Sequence, residues 1–132
     1  MHLPYNYHPM LYALLLLIVD VLFAVTGQLL LKKSVSLQGE ASFSLPNLPA
    51  FFLGVLARWQ VWAALVCYGV AFLLWLIVLS RFKLSFAYPF TALMYILVLF
   101  ASWYFLDERI TVPQIIGVGL ILAGLLFVSR AA

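Results

Sequence analysis

The chain has 132 residues, of which 67% are hydrophobic and only 8% carry a charge. A soluble domain has about 45–50% apolar and about 25% charged residues, so this composition excludes a water-soluble enzyme and indicates a protein dissolved in lipid. The modest net charge of +3 argues against nucleic-acid binding, and a single cysteine with no metal-ligand spacing predicts no disulfide, no metal and no cofactor.

The apolar runs predict membrane-spanning helices. Backbone groups in hydrocarbon must be hydrogen-bonded, so spanning segments are helices or closed barrels, and these runs are too long for barrel strands and do not alternate. We therefore predict an all-α integral membrane protein, a single transmembrane domain over residues 1–132 with four spans near 10–31, 59–79, 84–106 and 111–129. Residues 1–9 contain no Lys or Arg and are expected to be an irregular lead-in, not a cleaved signal peptide.

The first predicted span contains one charged residue, Asp20. Its position, about ten residues from each predicted end, corresponds to about 15 Å from each interface at 1.5 Å per residue. A charge at the bilayer centre costs at least about 2.5–3.5 kcal/mol on insertion scales. Asp20 is therefore a candidate binding residue that faces a cavity or a partner, and the alternative is a hydrogen-bonded structural role.

A small polar group follows near the end of the same span: Thr26, Gly27 and Gln28. Gly27 is seven residues after Asp20, so both lie on one helix face. Gln28 is a candidate substrate-binding residue because its amide both donates and accepts hydrogen bonds. The alternative is helix packing through small residues, with Gln28 as a polar contact.

The first connection is the longest. Lys32 and Lys33 are predicted to end the first span, residues 34–44 form a polar loop, and two prolines bracket a turn near 46–49. The apolar segment 50–57 is too short to span a membrane. It is either a helix lying on the membrane surface or an outward extension of the second span.

Basic residues follow the second span at Arg81 and Lys83. Together with Lys32 and Lys33 they are candidates for recognising a phosphate on a lipid substrate, and the alternative is snorkelling to lipid headgroups. Pro89, near the start of the third span, removes a backbone donor and is expected to kink that helix.

The fourth span carries a stripe of residues spaced three, four and seven apart: Gly117, Leu120, Ile121 and Gly124. Two glycines on one stripe allow another backbone to approach closely. We predict that this stripe packs against another helix, in the same chain or in a second one.

The charges of the connecting loops orient the chain only weakly. One side carries Lys32, Lys33, Arg58 and Arg109, and the other carries Arg81, Lys83 and Arg130. Because the two sides are nearly equal, the positive-inside rule permits both orientations unless a partner fixes one.

Four segments carry a resemblance to a known family: residues 24–33 (AVTGQLLLKK), 87–89 (AYP), 107–111 (DERIT) and 116–124 (IGVGLILAG). In this order and spacing they resemble the small multidrug resistance-like transporters, the four-helix branch of the drug/metabolite transporter superfamily. The cation-exporting branch has a glutamate where this chain has Ala24, and an aromatic residue where it has Thr91, three residues after Tyr88. Both differences count against drug efflux.

Residues 27–29, 74–79 and 87–89 are similar to the aminoarabinose-phosphoundecaprenol flippase subunits. This resemblance implies a multi-pass protein of the bacterial inner membrane that contacts membrane lipid and moves a lipid-linked sugar phosphate. It also implies a homodimer, or a heterodimer with a similar small subunit, and a substrate site that includes Tyr88 and Thr91. Asp20 has no counterpart in that pattern. The alternatives are a proton-coupled exporter of small organic cations that uses Asp20, and a non-transporting membrane scaffold.

Overall fold

A computed structural model describes residues 7–39 and 45–131, so the predicted lead-in up to residue 6 and part of the predicted loop at 40–44 lie outside it. The described residues form helices and no strand: α1 (Tyr7–Gln38), α2 (Leu48–Leu56), α3 (Trp59–Arg81), α4 (Leu84–Phe90), α5 (Leu93–Leu106) and α6 (Val112–Ala131). Four segments are long and apolar enough to cross a membrane, namely α1, α3, α4 together with α5, and α6. The prediction of an all-α protein with four spans is confirmed.

The first helix is longer than predicted. α1 continues to Gln38, so the prediction that Lys32 and Lys33 end it is wrong. Lysine is a good helix former, and its long side chain reaches polar surroundings from within a helix. The chain leaves the helical path at Gly39, whose φ of +89° lies in the left-handed region that glycine tolerates.

The apolar segment before the second span is a helix of its own. α2 has a proline in its first turn, and the Leu56 carbonyl near its end accepts a hydrogen bond from the Trp62 indole at 2.9 Å. Arg58, with φ −87° and ψ 133°, is extended and separates α2 from α3. The alternative of an outward extension of the second span is therefore wrong, and a position on the membrane surface stays a prediction.

The best-packed part of the molecule is the seam between α1 and α3. Its buried residues are spaced three, four or seven positions apart: Ala13, Leu17, Asp20, Gly27 and Ser34 on α1, and Val61, Ala64, Ala71 and Val78 on α3. This spacing is typical of helices that pack along their length. Small residues bring the backbones close, and a β-carbon added at Gly27 would lie 3.2 Å from the Tyr68 ring.

The seam is antiparallel. Its register is marked by Leu17 clustering with Val78, Gly27 facing Tyr68, and Arg58 Nη2 donating to the Leu37 carbonyl at 3.1 Å. In this register Asp20 of α1 lies level with Trp75 of α3. Arg81, the last residue of α3, is six residues further along, which is about 9 Å along the helix axis at 1.5 Å per residue. Asp20 thus lies nearer to the Arg81 end of the seam than to the Arg58 end, and its depth in the membrane stays a prediction.

The third span is interrupted at Thr91 and Ala92. Pro89 has no N–H to donate. The N–H groups of Thr91 and Ala92 bond to carbonyls three residues back, Thr91 to Tyr88 at 3.0 Å and Ala92 to Pro89 at 3.1 Å. The kink expected at Pro89 therefore takes the form of a break between two helices, α4 and α5.

The last helix is attached loosely. α6 packs against α4 and α5, but none of its side chains is buried. A β-carbon added at Gly117 or Gly124 would meet no atom within 4 Å. Within the described part of the chain, nothing packs closely on the glycines of the predicted stripe.

Candidate functional site

A groove of about 500 Å³ lies beside the break in the third span. It is lined by Gln28 from α1, Tyr88 from α4, Thr91 from the break, and Met94, Tyr95 and Val98 from α5. Three residues that the sequence singled out are thereby brought together, Gln28 from the first span and Tyr88 and Thr91 from the third.

The wall formed by α4 is held in place by local contacts. The Tyr88 ring packs edge-on against Trp75 of α3, with ring centroids 6.4 Å apart and an interplanar angle of 68°. The Thr91 hydroxyl donates a hydrogen bond to the Tyr88 carbonyl at 2.6 Å. Trp75 also packs beside Leu17 in the seam, so the rigid α1–α3 pair supports this side of the groove.

A second groove of about 360 Å³ adjoins the first along α5. The two share Tyr95 and Val98. The second groove is also lined by Leu99, Ser102, Glu108, Gln114, Gly117, Val118 and Ile121. The two adjoining grooves, whose lining is mainly apolar with a few polar side chains, form one path from Gln28 to the connection between α5 and α6.

Sequence reasoning missed Tyr95, Ser102, Glu108 and Gln114. A signal for two of them was available, because Tyr88, Thr91, Tyr95 and Ser102 follow one another at three, four and seven residues and thus lie on one face of a helix. Glu108 and Gln114 lie in and just after a loop, where no such periodicity applies.

The connection between α5 and α6 is held at both ends. α5 ends at Asp107, which has a left-handed φ of 53°, and the Glu108 N–H donates to the Ser102 carbonyl at 3.3 Å. At the start of α6, the Gln114 side-chain oxygen accepts from the Thr111 N–H at 2.8 Å, as a glutamine does in a capping box. Glu108 is therefore presented from a short loop that is anchored at both ends.

An ion pair joins Glu108, which lines the second groove, to Lys32 of α1. Lys32 Nζ lies 3.7 Å from Glu108 Oε1, with the two side chains 59% and 48% exposed. Such an exposed pair contributes about 0–1 kcal/mol to stability. It shows that the end of α1 and the α5–α6 connection lie at the same end of the bundle.

The predicted basic residues lie at opposite ends. Lys32 and Lys33 lie near the level where α3 begins, whereas Arg81 is the last residue of α3 and Lys83 follows it. All four side chains are exposed. The structure does not bring the four together, so one phosphate group can contact only one of the two pairs at a time.

Asp20 is separate from both grooves. It is 7% exposed, lies on the seam, and lines neither groove. Among the described residues, no hydrogen bond or ion pair reaches its carboxyl group. The polar group that follows on α1 has both of its predicted roles. Gly27 packs against Tyr68, and Gln28 lines the groove. The Thr26 hydroxyl donates to a carbonyl of its own helix at 2.8 Å.

The glycine stripe of α6 is only partly used by the grooves. Gly117 and Ile121 line the second groove, whereas Leu120 and Gly124 do not, and Leu120 is 70% exposed. This stripe therefore borders the groove on one edge and offers an uncovered apolar surface on the other.

Comparison with known proteins finds relatives that are named as flippase subunits. A protein of Pseudomonas syringae pv. syringae named as a probable 4-amino-4-deoxy-L-arabinose-phosphoundecaprenol flippase subunit, ArnE, is 37% identical over 82 residues, which are 61% of this chain and 76% of that protein. The protein of the same name from Pseudomonas savastanoi pv. phaseolicola is 34% identical over 84 residues, 61% of this chain and 74% of that one. The one from Salmonella paratyphi B is 36% identical over 69 residues, 52% of this chain and 62% of that protein. No solved structure matches.

These findings confirm the resemblance to flippase subunits. The EamA-like transporter family matches residues 3–130. The match and the four spans identify a multi-pass membrane transporter and not an enzyme. The chain belongs to the EamA-like transporter family.

Proposed function

We propose that this chain is a subunit of a flippase that carries a polyprenyl phosphate-linked sugar, such as aminoarabinose-phosphoundecaprenol, across the bacterial inner membrane. The observation that carries the proposal is the groove beside the broken third span, where polar side chains from the first and third spans meet in a mainly apolar lining. The names of the relatives fit a lipid of this kind.

The groove matches the physical problem of moving a sugar headgroup. Hydrocarbon offers no hydrogen bonds, so the hydroxyl groups of a sugar need partners on the way. Gln28, Tyr88, Thr91 and Tyr95 supply an amide and three hydroxyls. The rings of Tyr88 and Tyr95 are each 64% exposed, so the groove is open along one side and the polyprenyl tail can stay in lipid.

The two pairs of basic residues fit the start and the end of the movement. Lys32 and Lys33 would hold the phosphate at one membrane surface, and Arg81 and Lys83 at the other. A hydrogen bond between a cation and a phosphate is roughly twice as strong as one between neutral groups. Alternating access of the groove between these two ends would move the headgroup.

A second subunit would complete the site. α6 has no buried side chain, and its stripe of Gly117, Leu120, Ile121 and Gly124 can receive another helix. The partner would be an identical chain or a similar small subunit, and the weak charge bias of the loops permits opposed orientations.

Reconstitution into vesicles tests the proposal. The chain is inserted alone and with a similar small subunit, and transbilayer movement of aminoarabinose-phosphoundecaprenol is measured beside proton-driven uptake of organic cations. We expect movement of the lipid above that of protein-free vesicles, without cation exchange. Cation exchange without lipid movement in either preparation would contradict the proposal and favour the exporter.

A further inference from the structure

Among the residues that the structure describes, the path along α5 contains a single acidic group. The lining of both grooves is apolar or neutral except for Glu108. The chain has four acidic residues in all. Of the other described ones, Asp20 is buried in the seam and Asp107 caps α5 without lining either groove. Among described residues, Glu108 is thus the carboxylate that a headgroup in the path would meet.

Glu108 already holds a cation there. Its Oε1 lies 3.7 Å from Lys32 Nζ, and both side chains are about half exposed. Exposed pairs of this kind add little to stability and are screened by salt, so the two groups can part without harm to the fold. When they part, the Lys32 ammonium and the Glu108 carboxylate remain side by side next to the second groove.

We infer that Glu108 and Lys32 together recognise a zwitterionic headgroup, in which an amino group on the sugar replaces Lys32 beside Glu108 while the phosphate binds Lys32. This inference rests on the proposed function and names the residue that would select amino sugars. The protein's internal ion pair is exchanged for two charge-assisted contacts to the substrate. A sugar with a hydroxyl in place of the amine would leave Glu108 without a cation, since Lys32 would hold the phosphate.

A binding comparison tests this inference on the purified full chain in detergent. The two probes are short-chain polyprenyl phosphates that carry either 4-amino-4-deoxy-arabinose or arabinose, and binding is followed by calorimetry. We expect the wild type to favour the amino lipid by about tenfold or more, as a hydrogen bond between charged groups implies. Glu108→Gln should abolish the preference for the amino lipid while it retains binding of the arabinose lipid. Lys32→Gln should weaken binding of both lipids.

Three further variants serve as controls. Asp107→Asn, in the adjacent acidic residue, and Arg109→Gln, in the same loop, should keep the preference. The exchanged pair Lys32→Glu with Glu108→Lys restores an ion pair, so it should fold normally but lose binding of the amino lipid. Any of three outcomes would overturn the inference. They are full binding of the amino lipid by the exchanged pair, equal binding of both lipids by the wild type, and equal losses of affinity for both lipids in Glu108→Gln. Binding of neither lipid by the wild type, both alone and together with a similar small subunit, would instead contradict the proposed function.

Discussion

The two halves of this bundle differ in how they are packed. The seam of α1 and α3 contains most of the buried side chains, and its small residues bring the helices into close contact. The half formed by α5 and α6 has none that are buried, although its helices are as apolar. Apolar composition therefore does not decide which surfaces pack, because lipid covers an apolar side chain as well as protein does.

The difference assigns separate tasks to the two halves. Between α1 and α3, shape complementarity holds the frame, so added volume should be costly there. Along α5 and α6, the same helices leave room for a headgroup and expose a surface for a partner. Substitutions in this half should alter transport or assembly and leave the fold intact.

The largest effect is expected at Gly27. Even a β-carbon there lies 3.2 Å from the Tyr68 ring, so Gly27→Leu must push α1 and α3 apart. We expect a loss of about 1–3 kcal/mol in unfolding free energy, as for other overpacked sites, measured as a lower melting temperature in detergent.

Gly69→Leu is the matched control, because a β-carbon at Gly69 meets no atom within 4 Å. Its melting temperature should stay at the wild-type value or rise slightly, since glycine is a poor helix former. Adding Tyr68→Ala to Gly27→Leu should recover part of the loss. Equal stability of the two leucine variants would contradict the close packing of the seam.

The next effect concerns assembly through α6. Gly124 belongs to the exposed stripe but lines neither groove, so Gly124→Leu blocks close approach of a second helix without filling the path. We expect the dissociation constant of the dimer to rise by about tenfold, equivalent to about 1.4 kcal/mol, as measured by sedimentation in detergent. Gly119→Leu, on the opposite face of the same helix, should leave dimerisation unchanged, and a fully active monomer would reject the idea.

Periodicity explains how much of this fold the sequence could predict. Hydropathy located all four spans, and the spacing of Asp20 and Gly27 correctly placed both on one face. The end of α1 was missed because lysine at Lys32 and Lys33 is compatible with both a helix and an interface. An antiparallel register depends on side-chain shape across two helices, so the position of Asp20 level with Trp75 could not be obtained from one helix alone.

The candidate site was predicted in part for a similar reason. Gln28, Tyr88 and Thr91 were singled out by polarity or by resemblance, and they meet in one groove. Glu108 was missed because its contact with Lys32 joins a loop to a distant helix. The closeness of these two residues follows from the antiparallel arrangement of the helices and cannot be read from the local sequence around either one.

A smaller effect is expected at the ring that both grooves share. Tyr95→Phe removes one hydroxyl from the path and preserves the shape of the wall. A neutral hydrogen bond contributes about 0.5–1.5 kcal/mol, so the rate of lipid movement in vesicles should fall by about two- to tenfold. Tyr104→Phe makes the same chemical change on α5 at a ring that is 72% exposed and lines neither groove. Equal rates for the two variants would show that the Tyr95 hydroxyl does not contact the headgroup.

The smallest effect is expected at Asp20, although it is the one charged residue buried in the described bundle. It lies on the seam and lines neither groove, so it is not placed to contact a headgroup that moves along the path. Asp20→Asn keeps the size of the side chain and its ability to hydrogen-bond. Lipid movement should therefore stay within about threefold of the wild type, which corresponds to less than 1 kcal/mol in activation free energy at 1.4 kcal/mol per tenfold.

A cation exporter would respond differently, because it needs a carboxyl group that alternates between a proton and the substrate, and an amide cannot release a proton. Proton-driven cation exchange that is robust in the wild type and lost in Asp20→Asn would show that the buried seam, and not the groove along α5, contains the transport site.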